Sequence, residues 1–241
     1  MATIIRNYLW ADSTPTVINL WNDLRTMPGV KQVVGDDGDM MVKIDDHVYL
    51  EFLNWNTTGT SNQRKIYVRY NGVATQIYSE QSSDWSPVQR MYQLVKSKNN
   101  DWALQVGVGS YTKTSFTDVS AIFAVVNVKN TINNEVGYGI YVPRAIRQTR
   151  NNIADNTPKY LITEDVMQDV PNNESGSSTA LSYIISSYAS LTTLIPICGL
   201  SSQCISTTAQ VMMIGQYPIY GDAEINGNKY YCIDGLCLSD E

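Results

Sequence analysis

The stretch "KIYVRYNGVATQIYSE", Lys65 to Glu80, constrains the fold more than any other part of the chain. Apolar and polar side chains alternate on both sides of Asn71-Gly72. Asn-Gly favours a two-residue type I′ turn, because both residues tolerate the positive φ that it needs. That turn sets the register: Tyr70 faces Val73, Val68 faces Thr75 and Ile66 faces Ile77. These pairs share an apolar face, while Lys65, Tyr67 and Arg69 point the other way. Upstream, "MMVKIDDHVYLEFLNW" carries the same period of two through Val48, Leu50 and Phe52. Downstream, "DWALQVGVGSY" and "DVSAIFAVVNVK" read as strands, and "NTINNEVGYG" turns the chain back into "IYVP".

Two segments show helical grammar instead. In "STPTVINLWNDLRTMPG", Ser13 or Thr14 caps, Pro15 opens the helix, and Val17, Leu20, Trp21 and Leu24 form a stripe that ends at Pro28-Gly29. In "SPVQRMYQLVKSKNN", Ser86 caps, Pro87 starts, and Val88, Met91, Tyr92 and Val95 line one face. Lys96 and Lys98 then suit the last turn of a helix. The fold class expected is mainly β with two short helices (α+β), its antiparallel sheets or sandwich built from Asn-Gly hairpins. Residues 1–150 would form a β-rich domain with helices near 14–27 and 86–98. Residues 151–241 would form a β-rich C-terminal region, separate or part of the same domain. Two polar loops, "RQTRNNIADNTP" and "VPNNESGSS", permit a boundary, and nothing in their composition requires one.

The closing run "EINGNKYYCIDGLCLSDE" reads as a three-stranded meander. A turn at Asn226-Gly227 places Ile225 opposite Asn228 and Glu224 opposite Lys229. A second turn at Asp234-Gly235 sets Ile233 against Leu236 and Cys232 against Cys237. That cysteine pair would not be hydrogen-bonded, so its side chains would approach closely. A cross-strand disulfide and a zinc site shared with Cys198 and Cys204 are the alternatives to free thiols. The spacings lack a tight C-x2-C knuckle. Met1-Ala-Thr-Ile-Ile-Arg also has no signal-peptide character, which points to a reducing compartment of synthesis. Four ordinary thiols are the favoured reading.

The chain has 241 residues, of which 43% are hydrophobic and 17% charged, enough for a substantial core. Net charge is −6 and the pI about 4.8, against the basic stripe a nucleic-acid-binding protein would carry. Arg144, Arg147 and Arg150, spaced as on one side of a helix turn, read as a solvated face. No apolar run is long enough for a membrane helix. No nucleic acid, membrane or cofactor is therefore expected as a partner.

Catalytic chemistry is sparse. The chain has a single histidine, His47, at a strand start, so neither a histidine triad nor a multi-histidine metal site can be built. "GVGSY" follows a strand without the helix that a phosphate loop needs. Asp36, Asp37 and Asp39 faintly resemble a calcium loop but lack its closing glutamate, and a polar β-turn fits them better. No catalytic, cofactor-binding or metal-ligating residue is assigned, and the protein is not expected to be an enzyme. With 16 tyrosines and 3 phenylalanines, aromatic surface is the feature left to consider. Trp21 belongs to a core stripe. Trp55 ends a strand before the polar "NTTGTSN" and is the best candidate for an exposed ring, though core packing of it is favoured. Trp55, Tyr217, Tyr220 and Tyr230 are the candidate interaction residues.

The order at the C-terminus, "TTLIPI" and then "TTAQVMMIGQYPIYGDAEINGNKYYCIDGLCLSDE", resembles the structural proteins of tailed bacteriophages. Those chains often end in an "INGKKYY" hairpin and a short "aLLD"-like strand, and this chain likewise closes on a short strand that stops in acids. Here the lysine comes one place later, after Asn228. The exit Met27-Pro28-Gly29-Val30 is similar to an "LPGV" helix end of the same proteins. The resemblance covers about the last 40 residues and transfers no functional residue. It implies a virion component of the tail, baseplate or head–tail neck, made in a bacterial host cytoplasm. Such a protein would be non-enzymatic and would act by subunit–subunit association, as a homo-oligomer with other virion proteins. A capsid-decorating or a receptor- or carbohydrate-binding module is the alternative.

Overall fold

The structure is a computed structural model. It describes residues 3–10, 14–35, 38–55, 64–80, 89–109, 116–130, 134–149, 152–156, 160–162, 167–169, 192–198, 205–214, 221–225, 227–233 and 236–239. In chain order these form β1 (Thr3–Trp10), α1 (Thr14–Leu24), β2 (Gln32–Gly35), β3 (Met40–Lys43), β4 (Val48–Leu53), β5 (Arg64–Tyr70) and β6 (Val73–Glu80). There follow β7 (Gln89–Lys96), β8 (Trp102–Gly109), β9 (Phe116–Asn130), β10 (Val136–Thr149), β11 (Asn152–Asn156), β12 (Tyr160–Ile162) and β13 (Met167–Asp169). The last are β14 (Thr192–Cys198), β15 (Ile205–Ile214), β16 (Gly221–Ile225), β17 (Asn228–Ile233) and β18 (Leu236–Ser239). The fold is thus mainly β, with antiparallel sheets and very little helix.

One sheet runs β1–β7–β8–β9–β10–β12–β13, antiparallel throughout. A second runs β2–β3–β4–β5–β6, meets β10 in parallel at Ile146 and Arg147, and ends on β11. Strand β10 therefore serves both sheets, and a register shift between Tyr141 and Arg144 lies at the change. Irregularities of this kind let a strand turn a corner from one sheet to the other. The two sheets face each other across one core. Val42, Leu50, Phe52, Ile66 and Val68 come from the second sheet, and Leu94, Leu104, Phe123 and Val125 from the first. Helix α1 closes this core with Leu20, Trp21 and Leu24, all buried, as its stripe requires. Gly29, at the exit, has φ +74, and a Cβ there would run into the Tyr138 ring. Only glycine fits that combination of backbone and space.

The second helix expected near 86–98 is not formed over the described residues 89–98. Gln89–Lys96 is strand β7, paired on one edge with β1 and on the other with β8. Tyr92 and Leu94 face the sandwich core, and Val95 joins a second apolar cluster. A strand buried on both faces loses its alternation and imitates a helical stripe, and its neighbours' ladders outweigh the local cap signal. Residues 121–126, "AIFAVV", are buried throughout for the same reason. The spacing argument for Arg144 and Arg147 also fails, because both lie in β10, and Arg150 is outside the described residues. The loop expected over 147–158 is in large part a hairpin: Ala145 to Thr149 pairs with Asn156 to Asn152. The loop at 170–178 falls outside the described residues.

The second cluster covers the far face of the first sheet. There Val95, Ala103, Ile122, Ala124 and Val126 meet Tyr231, Ile233, Leu236 and Leu238. The C-terminal strands run β14–β15–β18–β17–β16, and Ile205–Thr207 of β15 also pair with the end of β9. Both turns of the closing run hold the expected register: Glu224 faces Lys229 and Cys232 faces Cys237. Contrary to the free-thiol expectation, Cys232 and Cys237 form a disulfide, with Cα atoms 4.1 Å apart and both side chains buried. The compartment argument bears on when such a bond forms. The register places the two sulfurs against each other in a close cross-strand pair. This bond also removes two of the four thiolates that a zinc site would use, and Cys204 lies outside the described residues.

The Asn71-Gly72 hairpin is present, with φ of 46° and 80° at its two turn residues. Tyr70 faces Val73 and Val68 faces Thr75, as the turn dictates. A bulge beyond Tyr67 then shifts the pairing, so Ile66 faces Tyr78 and not Ile77. The extra residue lets Ile77 and Tyr78 both enter the core.

Candidate functional site

Of the ring residues singled out in the sequence, Trp55 is inside the protein, 1% exposed. Strand parity would have turned it outward with Tyr49, Glu51 and Leu53. Asn54, however, has φ 63°, and that one left-handed residue rotates Trp55 into the core. The indole packs edge-on against Trp21 and Phe52, with centroids 6.1 and 5.5 Å away. Its Nε1 donates to the Lys65 carbonyl at 3.1 Å. Tyr230 is also buried, at 4%. Tyr217 and Tyr220 lie outside the described residues. The structure therefore does not assemble these four into a surface.

The buried polar groups serve the scaffold. Asp101, wholly buried, accepts from the Asn127 backbone N–H at 2.6 Å, and its own N–H meets the Ser97 hydroxyl at 3.2 Å. The Asn127 amide also donates to the Asn99 carbonyl at 2.6 Å. This network clamps the β7–β8 turn onto β9. Gln93 donates to the Tyr231 hydroxyl at 2.9 Å and joins the C-terminal layer to the first sheet. Burial pushes the Tyr231 phenol above its ordinary pKa, and nearby Asp222 adds to this, while the Gln93 hydrogen bond opposes it. Burial also raises Tyr138, with help from the Asp101 charge. Asp45 caps the β3–β4 turn by accepting from the His47 and Val48 N–H groups at 2.7 and 2.6 Å. His47 itself is exposed, as expected of a strand-start histidine. Among the described residues no three His, Cys, Asp or Glu side chains gather to hold a metal.

What remains is the outer face of the second sheet. Its inner positions are buried and its outer positions only partly so, in strict alternation along β3, β4 and β5. Cross-strand pairing arranges the outer side chains in rows. One row is Gln32, Lys43, Tyr49, Arg69 and Ala74; the next is Val34, Met41, Glu51, Tyr67 and Gln76. Leu53 and Lys65 form a third. Tyr49 is thus flanked by two cations. Glu51 is the one acid among the described residues of this face. It is answered by Arg69 at 2.7 Å, and that bond raises the Arg69 pKa. Tyr67 donates to the Gln76 side-chain oxygen at 3.1 Å. Tyrosine, methionine and arginine are the residue types that interfaces favour. The sequence had already put Lys65, Tyr67 and Arg69 on this side, but neither Tyr49 nor Lys43 could be added before strand order was known.

No protein-family model, no curated protein and no solved structure matches this chain. The geometry of the face is therefore the principal guide to what the protein does. No helix among the described residues is long and apolar enough to cross a membrane.

Proposed function

We propose that this chain is a non-enzymatic structural component of a bacteriophage virion, of the tail, baseplate or head–tail neck, and that it acts by subunit–subunit association. The observation that carries the association is the open sheet face with Tyr49, Tyr67, Met41 and Arg69 set among Lys43 and Lys65. The paired backbone of this surface is already ordered, so docking would cost side-chain entropy but little backbone entropy. The placement in a phage particle rests on the resemblance of the closing hairpins to phage structural proteins. The carbohydrate-binding alternative loses support, since Trp55 and Tyr230 are buried.

Light scattering of the purified chain across a concentration series tests the association. A discrete oligomer is the expected result, and a monomer at every concentration would overturn it. Gold-labelled antibody on purified phage particles from the strain carrying the gene tests the placement. Labelling at one fixed position is expected, and unlabelled particles would remove the virion assignment.

A further inference from the structure

We propose that the open face of β2–β6 is the docking surface for the acidic edge strand β16 of a second copy of this chain, so that copies associate head to tail. This rests on the assembly reading above and names its contact. Lys43, Lys65 and Arg69 outnumber Glu51 on that face, and Glu51 is already paired with Arg69. The chain as a whole carries net charge −6, so its excess of acid lies on the rest of its surface. Within that surface, Asp222 and Glu224 are exposed on β16. Among the described residues β16 pairs with β17 alone. Lys229 stands across from Glu224 and offsets part of its charge, whereas Asp222 stands across from Tyr231.

The spacing is compatible. Residues two apart on a strand share a face and lie about 7 Å apart, which sets the separation of the two carboxylates. Lys43 and Arg69 sit on either side of Tyr49, two strand intervals or about 10 Å apart. Flexible lysine and arginine stems bridge the difference, with the Tyr49 ring filling the space between.

The contact must be between copies. The sandwich core lies on one face of the first sheet and the C-terminal layer on the other. The basic face and β16 therefore stand on opposite sides of that sheet. A pairing of two unlike surfaces is heterologous, and it builds a ring or a filament.

The test is charge exchange. Lys43→Glu/Lys65→Glu and Asp222→Lys/Glu224→Lys are each made in the full chain, and unchanged urea midpoints establish that both still fold. Molar mass is then followed by light scattering. Each variant alone should associate about tenfold or more weakly than the parent. Raised salt should weaken the parent. An equimolar mixture of the two variants should regain association, because reversed face and reversed edge are complementary again. If the parent associates but the variants do so equally well, or their mixture stays dissociated, this contact is wrong while the assembly reading stands. A parent that never associates overturns both. A cation-flanked tyrosine face also suits single-stranded nucleic acid. Tight binding of a labelled oligothymidine by the parent, lost in Lys43→Glu/Lys65→Glu, would assign the face to a polyanion and overturn the proposal.

Discussion

Asn54 and Trp55 illustrate how much a single residue decides. The indole sits among Trp21, Phe52 and Tyr78, and removal of so large a buried ring should cost about 3–5 kcal/mol. Urea unfolding of Trp55→Ala measures this, and a loss below about 1 kcal/mol would show that the ring is not core. Tyr231 makes a prediction about pH. Its folded pKa is raised, so above about pH 10 the unfolded chain gives up its proton first, and stability falls as pH rises further. Tyr231→Phe should flatten that alkaline decline. At neutral pH it should cost about 1–3 kcal/mol, because the Gln93 amide loses its buried acceptor. Chemical denaturation at pH 7 and pH 11 separates the two effects, and a slope unchanged by the substitution would contradict the assignment.

At the scale of elements, β7 and β9 are the interior of the fold. Their amides are paired on both edges, and the side chains of 92–95 and 121–126 are buried on both faces. Hydrogen exchange should therefore be slowest over 92–95 and 121–126, and far faster in the edge strand β2. Equal protection in β2 would count against this layering. The disulfide holds β17 to β18 across a tight turn. Closing so short a loop should contribute about 2 kcal/mol. Cys232→Ser should lower the urea midpoint accordingly, and a thiol titration of the denatured parent should find no more than two free cysteines of the four. Four reactive thiols would return the pair to the unbonded state that the sequence favoured.

For the whole molecule, the C-terminal layer acts as a cover. Without it, Val95, Ala103, Ile122, Ala124 and Val126 would form an open apolar face. A chain cut after Ile214 should bind a hydrophobic dye and aggregate, since patches of that kind seldom stay in water. A soluble truncated chain with the parent's unfolding midpoint would show that the layer is dispensable. Self-association through the opposite, basic face belongs to this scale too, and the charge exchange described above decides it.

The turns and the pairs next to them were legible in the residues alone. Asn-Gly and Asp-Gly set the registers of the hairpins at Asn71, Asn226 and Asp234, because a two-residue loop leaves one pairing only. The period of two along β4 and β5 separated inside from outside for the same kind of reason. The stripe of α1 named Trp21 and Leu24 as core. Tertiary structure decided what depends on neighbours distant in sequence. Whether 89–96 is helix or strand turned on β1 and β8, which offer its backbone partners that no local cap signal reveals. The inward turn of Trp55 depended on one left-handed residue, and the bulge beyond Tyr67 on the fit of Ile77 and Tyr78 in the core. The candidate face arose only when β3, β4 and β5 were set side by side, because Lys43, Tyr49 and Arg69 are far apart in the chain and adjacent only across the ladder.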